Sequence, residues 1–163
     1  KNIFKQVFQY KLNVYILPTN EYLKRYRVVD SDLCSNCSIE TDTVVHRLWE
    51  CEKLADFLDN LLEKESIWTG RGRRINMKEY LFGIENQVGI NHFWMEVKMF
   101  VFYNWKVELS TNSNINGLVS KIRRLIILEK NMSKSDISFD MFADKWKYFT
   151  DIYDFRGPDN VVL

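Results

Sequence analysis

Residues 34–51 read CSNCSIETDTVVHRLWEC, and these eighteen residues hold all three cysteines of the chain and one of its two histidines. The spacing is C-x2-C-x8-H-x4-C over Cys34, Cys37, His46 and Cys51. Zinc takes three thiolates and an imidazole in a tetrahedron without preference from d-electrons, and four protein ligands leave no position for water. The pattern therefore points to a structural Zn²⁺ site. A catalytic deaminase arrangement needs H-x-E ahead of P-C-x-x-C, whereas here the paired cysteines come first, no proline precedes them and the histidine follows. A redox pair belongs at a helix N-terminus beside a βαβ unit, and no such rhythm is present. Three cysteines cannot close a disulfide framework. Three thiolates, one imidazole and Zn²⁺ sum to about −1, a charge that Arg47 and Lys53 are placed to ease.

The ligands also constrain the chain around them. His46 and Cys51 are five apart, and a straight helix turns them about 140° from one another. The helix begun at Asp42 or Thr43 must loosen near Glu50, and a second helix then runs from Cys51 or Glu52 to Lys64. Trp49, between two ligands, is expected to pack over the metal loop. Upstream, Ile3, Val7, Tyr10 or Lys11, and Val14 recur at helical spacing, with Phe4, Phe8 and Tyr15 widening the stripe, so residues 2–16 read as a helix. Pro18 breaks it, Thr19 or Asn20 can cap a short helix over Glu21–Tyr26, and Arg27-Val28-Val29 fits a short strand.

Downstream, residues 66–76 (SIWTGRGRRIN) read as a flexible basic joint. Leu81-Phe82-Gly83 ends a short element, 86–90 is loop, and Asn91 caps a helix from His92 to about Leu109. That helix is apolar nearly all round, hence central and buried, with Glu96, Lys98, Asn104, Lys106 and Glu108 at exposed or snorkelling positions. Residues 115–130 are amphipathic through Ile115, Leu118, Val119, Ile122, Leu125 and Ile126. A last helix starts near Ser138 or Asp140, turns Phe142, Trp146, Phe149 and Tyr153 inward and ends at Gly157-Pro158. The fold class is mainly α: a small zinc-stabilised N-terminal module packed against or joined to a helical bundle. The expected division is 1–66, a basic joint at 67–78, and a bundle over 79–156.

Composition agrees. The chain has 163 residues, 46% hydrophobic and 15% aromatic, with two prolines and six glycines, which is globular and helical rather than disordered. It has no signal-peptide pattern and no long uncharged apolar run, so an intracellular protein of nucleus or cytoplasm is expected, with no membrane partner. The start at Lys1 without Met is what a fragment would show. The formal net charge is +1, unevenly spread. Lys1, Lys5, Lys11, Lys24, Arg25 and Arg27 make one basic cluster, Arg71, Arg73, Arg74 and Lys78 a second, and Lys121, Arg123, Arg124, Lys130 and Lys134 a third. Ten carboxylates crowd residues 30–65. This permits a nucleic-acid face, with Lys5, Lys11, Lys24, Arg25, Arg27, Arg71, Arg73, Arg74, Lys78, Arg123 and Arg124 as candidate phosphate contacts. It equally permits a surface of mixed charge.

No catalytic constellation stands out. His92 reads as a helix-start side chain, and carboxylate pairs such as Asp136 with Asp140 fall on shared helix faces by chance. The GRGRR tract at 70–74 lacks the strand–helix context of a phosphate loop. Trp94, Trp105 and Trp146 lie on apolar stripes and read as core rather than base-stacking platforms. No enzyme activity and no small-molecule substrate are expected.

Residues 17–51, through Pro18, Thr19, Leu23, Cys34, Cys37, Thr43, His46, Leu48, Trp49 and Cys51, resemble the region after the reverse-transcriptase domain in non-LTR (LINE-type) retrotransposon polyproteins. Asp42-Thr43 stands where that family has Glu-Thr, and Arg47 where Leu is common. A fainter resemblance continues through Phe82-Gly83, Asn91, Lys98, Phe102, Trp105, Lys106 and Lys145-Trp146. It implies a noncatalytic zinc-binding module that helps bind template RNA or target DNA, beside an upstream reverse-transcriptase domain. The rival reading is a protein-interaction or scaffold module. It is favoured by the acidic 30–65 segment, and convergence or scatter of the basic clusters decides between the two.

Overall fold

The most apolar helix of the chain is the axis on which the others pack. In the computed structural model, which describes residues 3–106, 109, 112–133 and 135–149, this is α5 (Val88–Tyr103), with Ile90, Phe93, Trp94, Val97 and Val101 buried. Before it come α1 (Ile3–Asn13), α2 (Asn20–Arg25), a π-turn (His46–Glu50), α3 (Glu52–Thr69) and α4 (Met77–Phe82). After it come α6 (Asn112–Met132), α7 (Asp136–Trp146) and a 3-10 turn (Lys147–Phe149). The fold is mainly α-helical, with a cluster of metal-ligand side chains near the N-terminal end packed against a helical bundle. One hydrophobic cluster runs from Phe8 and Cys34 through Leu54, Leu61 and Phe93 to Phe149.

Several elements follow the sequence reading closely. Thr19 caps α2, its hydroxyl accepting from Tyr22 N. Ile115, Leu118, Ile122 and Ile126 are the buried face of α6, and Phe142, Trp146 and Phe149 are buried as expected. Helix α7 starts slightly earlier, at Asp136, because Ser135 and Ser138 form a reciprocal capping box. Tyr153, Gly157-Pro158, Lys134 and Glu108 lie outside the described residues.

Others differ. Helix α1 carries two apolar stripes, and the one turned inward is Phe8 and Leu12. Ile3, Val7, Tyr10 and Val14 face outward and are exposed. Phe8 wins the core position because it meets Phe102 of α5 edge-on at 5.6 Å. The segment 27–29 forms no strand: Arg27 sits at φ 57°, in the turn after α2, and the bridge found among the described residues joins Leu33 to Thr41. Glu96 and Lys98 are not snorkelling but buried, at 4% and 2% exposure. Glu96 takes Lys5 and Lys121 as ion-pair partners, while Lys98 donates to Gln9 Oε1 and the Leu81 carbonyl, both at 2.8 Å. That carbonyl is in the last turn of α4, so Lys98 fills part of the role of a C-terminal cap.

The start of α5 also differs, and glycine explains it. The helix begins at Val88 rather than His92, while Asn91 clasps Ile84, accepting from its N–H and donating to its carbonyl, each at 2.7 Å. Gly89 lies against α7 so closely that a Cβ there would stand 1.9 Å from the Lys145 carbonyl oxygen. Alanine is the better helix former by about 1 kcal/mol, yet overpacking costs about 1–3 kcal/mol. Gly89→Ala is therefore expected to lower the midpoint of denaturant unfolding; an unchanged or raised midpoint would show that α5 and α7 stand further apart.

The basic segment after α3 is held by ion pairs. Helix α3 continues past residue 66 to Thr69 and ends on Gly70 at φ 61°, the left-handed cap that glycine adopts without cost from a side chain. Arg71 then reaches back to the buried Glu65 at 2.7 Å, Arg73 grips Glu79 at 2.6 Å and Arg74 meets Asp59 at 2.8 Å. The hydrogen bonds from Arg73, with the Asn76 amide, hold the Glu79 carboxyl down to about 2. Trp68 packs edge-on against Phe93 at 5.9 Å. No helix among the described residues is long and apolar enough to cross a membrane.

Candidate metal centre

Two backbone devices bring the four ligands together. The first is a short reversal over Cys34–Thr41. Cys34 N donates to Glu40 O at 2.8 Å and Ser38 N to Cys34 O at 2.9 Å, with Ser38 at φ 58°. The amides of Asn36 and Cys37 point at Cys34 Sγ, at 3.3 and 3.4 Å, donors suited to a thiolate.

The second is the π-turn. Thr43 Oγ1 accepts from His46 N at 2.9 Å and so starts the helical segment. The chain then widens until Cys51 N bonds His46 O at 2.9 Å, an i to i+5 closure. Cys51 itself is extended (φ −61°, ψ 125°) and serves as N-cap of α3. The loosening required by the five-residue spacing is thus a π-turn, a form known mainly as a single turn at functional sites.

The result is a Cys3His cluster. The ligand atoms of Cys34, Cys37, His46 and Cys51 all lie within 4.8 Å of one another. Cys34 Sγ and Cys51 Sγ are 3.9 Å apart, and Cys37 Sγ is 3.5 Å from His46 Nε2. A zinc tetrahedron with ordinary Zn–S and Zn–N lengths has S···S edges of about 3.7 Å and S···N edges of about 3.6 Å. The spacing therefore fits the ion and is far too long for a disulfide. Cys34, His46 and Cys51 are buried and Cys37 half-buried.

The electrostatics separate the thiols. Burial pushes Cys51 up to about 12, and the nearby Cys34 and Cys37 add to the rise. Burial also raises Cys37, but the amides of Glu40 and Ile39 outweigh it and leave the thiol below its ordinary value. A dicationic metal overrides both by displacing the protons.

Arg47 has a different duty from easing the cluster's charge. Its guanidinium is engaged by the fully buried Asp42, with Nε to Oδ1 at 2.9 Å. It also donates to Pro18 O at 3.3 Å, and its Cζ lies 5.3 Å from the Phe102 ring centroid and 5.6 Å from that of Trp105. Asp42 Oδ2 accepts from Asn20 N at 2.8 Å, and Asn36 Nδ2 donates to Trp105 O. Together these contacts clasp the metal module to the end of α5. Asp42 and Trp105 escape sequence reasoning in this role, since neither shares a helix face with Arg47. Lys53 pairs with Glu52 on the exposed side of α3. Trp49 packs on Tyr80 of α4 at 5.2 Å rather than over the metal loop.

The candidate phosphate contacts do not form one free basic face. Lys5 pairs with Glu96, Lys24 with Asp32, Arg25 with Glu21, and the three arginines of 71–74 with Glu65, Glu79 and Asp59. Lys11, Arg27, Lys78 and Arg124 are exposed, and no ion pair among the described residues involves them. Arg123, on α6, is half-buried. His92 lies inside α5, 5.9 Å from the Trp146 ring, and burial, with Lys145 and Lys5 adding to it, pushes it down to about 4. No family model, curated protein or solved structure matches the chain.

Proposed function

We propose that the chain is a noncatalytic accessory module of a larger, non-LTR-type reverse transcriptase, that its Cys3His cluster holds one structural zinc ion, and that its work is to dock protein. The observation that carries the zinc is the gathering of four ligand atoms within 4.8 Å of one another, with the Cys34–Cys51 and Cys37–His46 separations close to tetrahedron edges; four protein ligands leave no position for water or substrate. What supports docking is the state of the basic residues. Six of the candidate phosphate contacts, Lys5, Lys24, Arg25, Arg71, Arg73 and Arg74, are tied to carboxylates of the same chain. A cation already paired must give up that partner to meet a phosphate. The outward stripe Ile3, Val7 and Tyr10 of α1, continued by Val14 just past its end, is the kind of apolar surface that partner proteins cover.

Direct binding of RNA or DNA is the second reading, favoured by Lys11, Arg27, Lys78 and Arg124. A titration of the zinc-loaded chain with structured RNA, single-stranded DNA and duplex DNA separates the two. Docking expects dissociation constants no tighter than about 10⁻⁶ M at physiological salt, the non-specific range. Tighter binding with a log–log salt slope of about −4 or steeper, weakened by the quadruple change Lys11→Gln, Arg27→Gln, Lys78→Gln and Arg124→Gln, would transfer the assignment to nucleic acid.

A further inference from the structure

Away from the metal centre, α1, α4 and α5 line an open cavity of about 350 Å³. Its walls are apolar where Phe82, Val88 and Met95 line it, and its charged residues are of one sign. Lys5 and Lys98 line it, and no carboxylate does. Lys98 is the deeper of the two, at 2% exposure. An ammonium has three N–H donors, and two of these go to Gln9 Oε1 and Leu81 O. No carboxylate among the described residues pairs with it, since Glu96 is taken by Lys5 and Lys121. Burial alone pushes the amine down to about 7, the response of a cation left without an anion.

Two residues of the same wall carry further donors without acceptors, both atoms closed to solvent. Tyr80 and Trp94 both line the cavity and are 0% and 2% exposed, and neither the Tyr80 hydroxyl nor Trp94 Nε1 has a hydrogen-bond partner. Buried polar groups are seldom left unpaired in native folds, and one that is calls for a missing ligand or water. Two such groups beside a lysine with a donor to spare all ask for acceptor oxygens. The size suits an organic ligand: a cavity of about 150 Å³ already holds benzene, and ligand pockets begin at about 300 Å³.

We propose that this cavity binds a small organic carboxylate, its oxygens on the Lys98 ammonium with Trp94 and Tyr80 as further donors, and its apolar stem against Phe82, Val88 and Met95. This assignment is independent of what the metal module docks.

The test uses the whole zinc-loaded chain, with benzoate as probe and benzamide, benzylamine and acetate as comparisons. Binding is followed through the indole N–H resonance of Trp94, identified by its loss in Trp94→Phe. Benzoate is expected to shift that resonance saturably, with a dissociation constant on the order of 1 mM or tighter, and to bind at least about tenfold more tightly than benzylamine or acetate. Lys98→Met should weaken benzoate about tenfold while leaving benzamide within about twofold. If Lys98→Met fails to fold, the ranking of the four probes on the unaltered chain decides. No saturable shift with benzoate, equal affinity for benzylamine, or a folded Lys98→Met that still binds benzoate as before would overturn the site and leave a water-filled cavity.

Discussion

Cys51→Ser is expected to take zinc content from about one ion per chain to near none and to unfold the metal module while the bundle persists. Apparent zinc-binding free energies in small modules are about 10–16 kcal/mol. The whole stability of a domain is about 5–15 kcal/mol, so no packing in residues 17–51 can replace the ion. The module has little regular structure to lose: α2 is six residues and the π-turn five. Far-ultraviolet circular dichroism should fall only slightly. Hydrogen exchange should report the change, with amides over 17–51 exchanging freely and those of α5 and α6 still slow. A chelator should reproduce the mutant. Because the thiols must lose their protons to bind metal, acid should favour release, the more so since burial holds Cys51 at about 12 without it. A serine variant with full zinc, or with unchanged exchange across 17–51, would remove Cys51 from the ligand set.

Breaking the Arg47–Asp42 pair is the second large effect. Arg47→Leu leaves the Asp42 carboxylate buried with the Asn20 amide still donating to it, and removing one member of a buried ion pair costs about 3–5 kcal/mol. The change also deletes the cation resting on Phe102 and Trp105 and the bond to Pro18 O. Urea unfolding should show the loss directly, with zinc still bound at equilibrium. Adding Asp42→Asn removes the stranded charge and keeps an acceptor for Asn20, so the double variant should recover part of it. A loss under about 1 kcal/mol in the single variant would mean that Asp42 and Arg47 are not a desolvated pair.

The Cys3His cluster was legible because metal-ligand chemistry restricts residue type and spacing together, and the need for a break between His46 and Cys51 followed from helix geometry alone. The central helix and the faces of α6 and α7 were legible because apolar periodicity there had one solution. Helix α1 had two, and choosing between Val7 and Phe8 required knowing that Phe102 lay opposite. Lys98 and Glu96 read as surface residues because sequence alone does not display the partners that let a charge be buried. The arginines of 71–74 read as free for the same reason: it is the fold that brings Glu65, Asp59 and Glu79 against them. The clasp of Asp42 and Arg47 onto Trp105 joins residues some sixty positions apart, which no local pattern encodes.

The π-turn sets how this chain can drift in length. The i to i+5 closure from Cys51 N to His46 O counts out the four residues between the two ligands. Deleting one would restore an ordinary helical turn and swing the imidazole by about 100°, away from the sulfurs. The reversal before it is less strictly counted at its tip, because Ser38 and Ile39 are exposed and the entropy of closing a loop grows only with the logarithm of its length. Insertions should therefore accumulate between Cys37 and Glu40 in lineages of this chain, while the interval from 46 to 51 stays fixed.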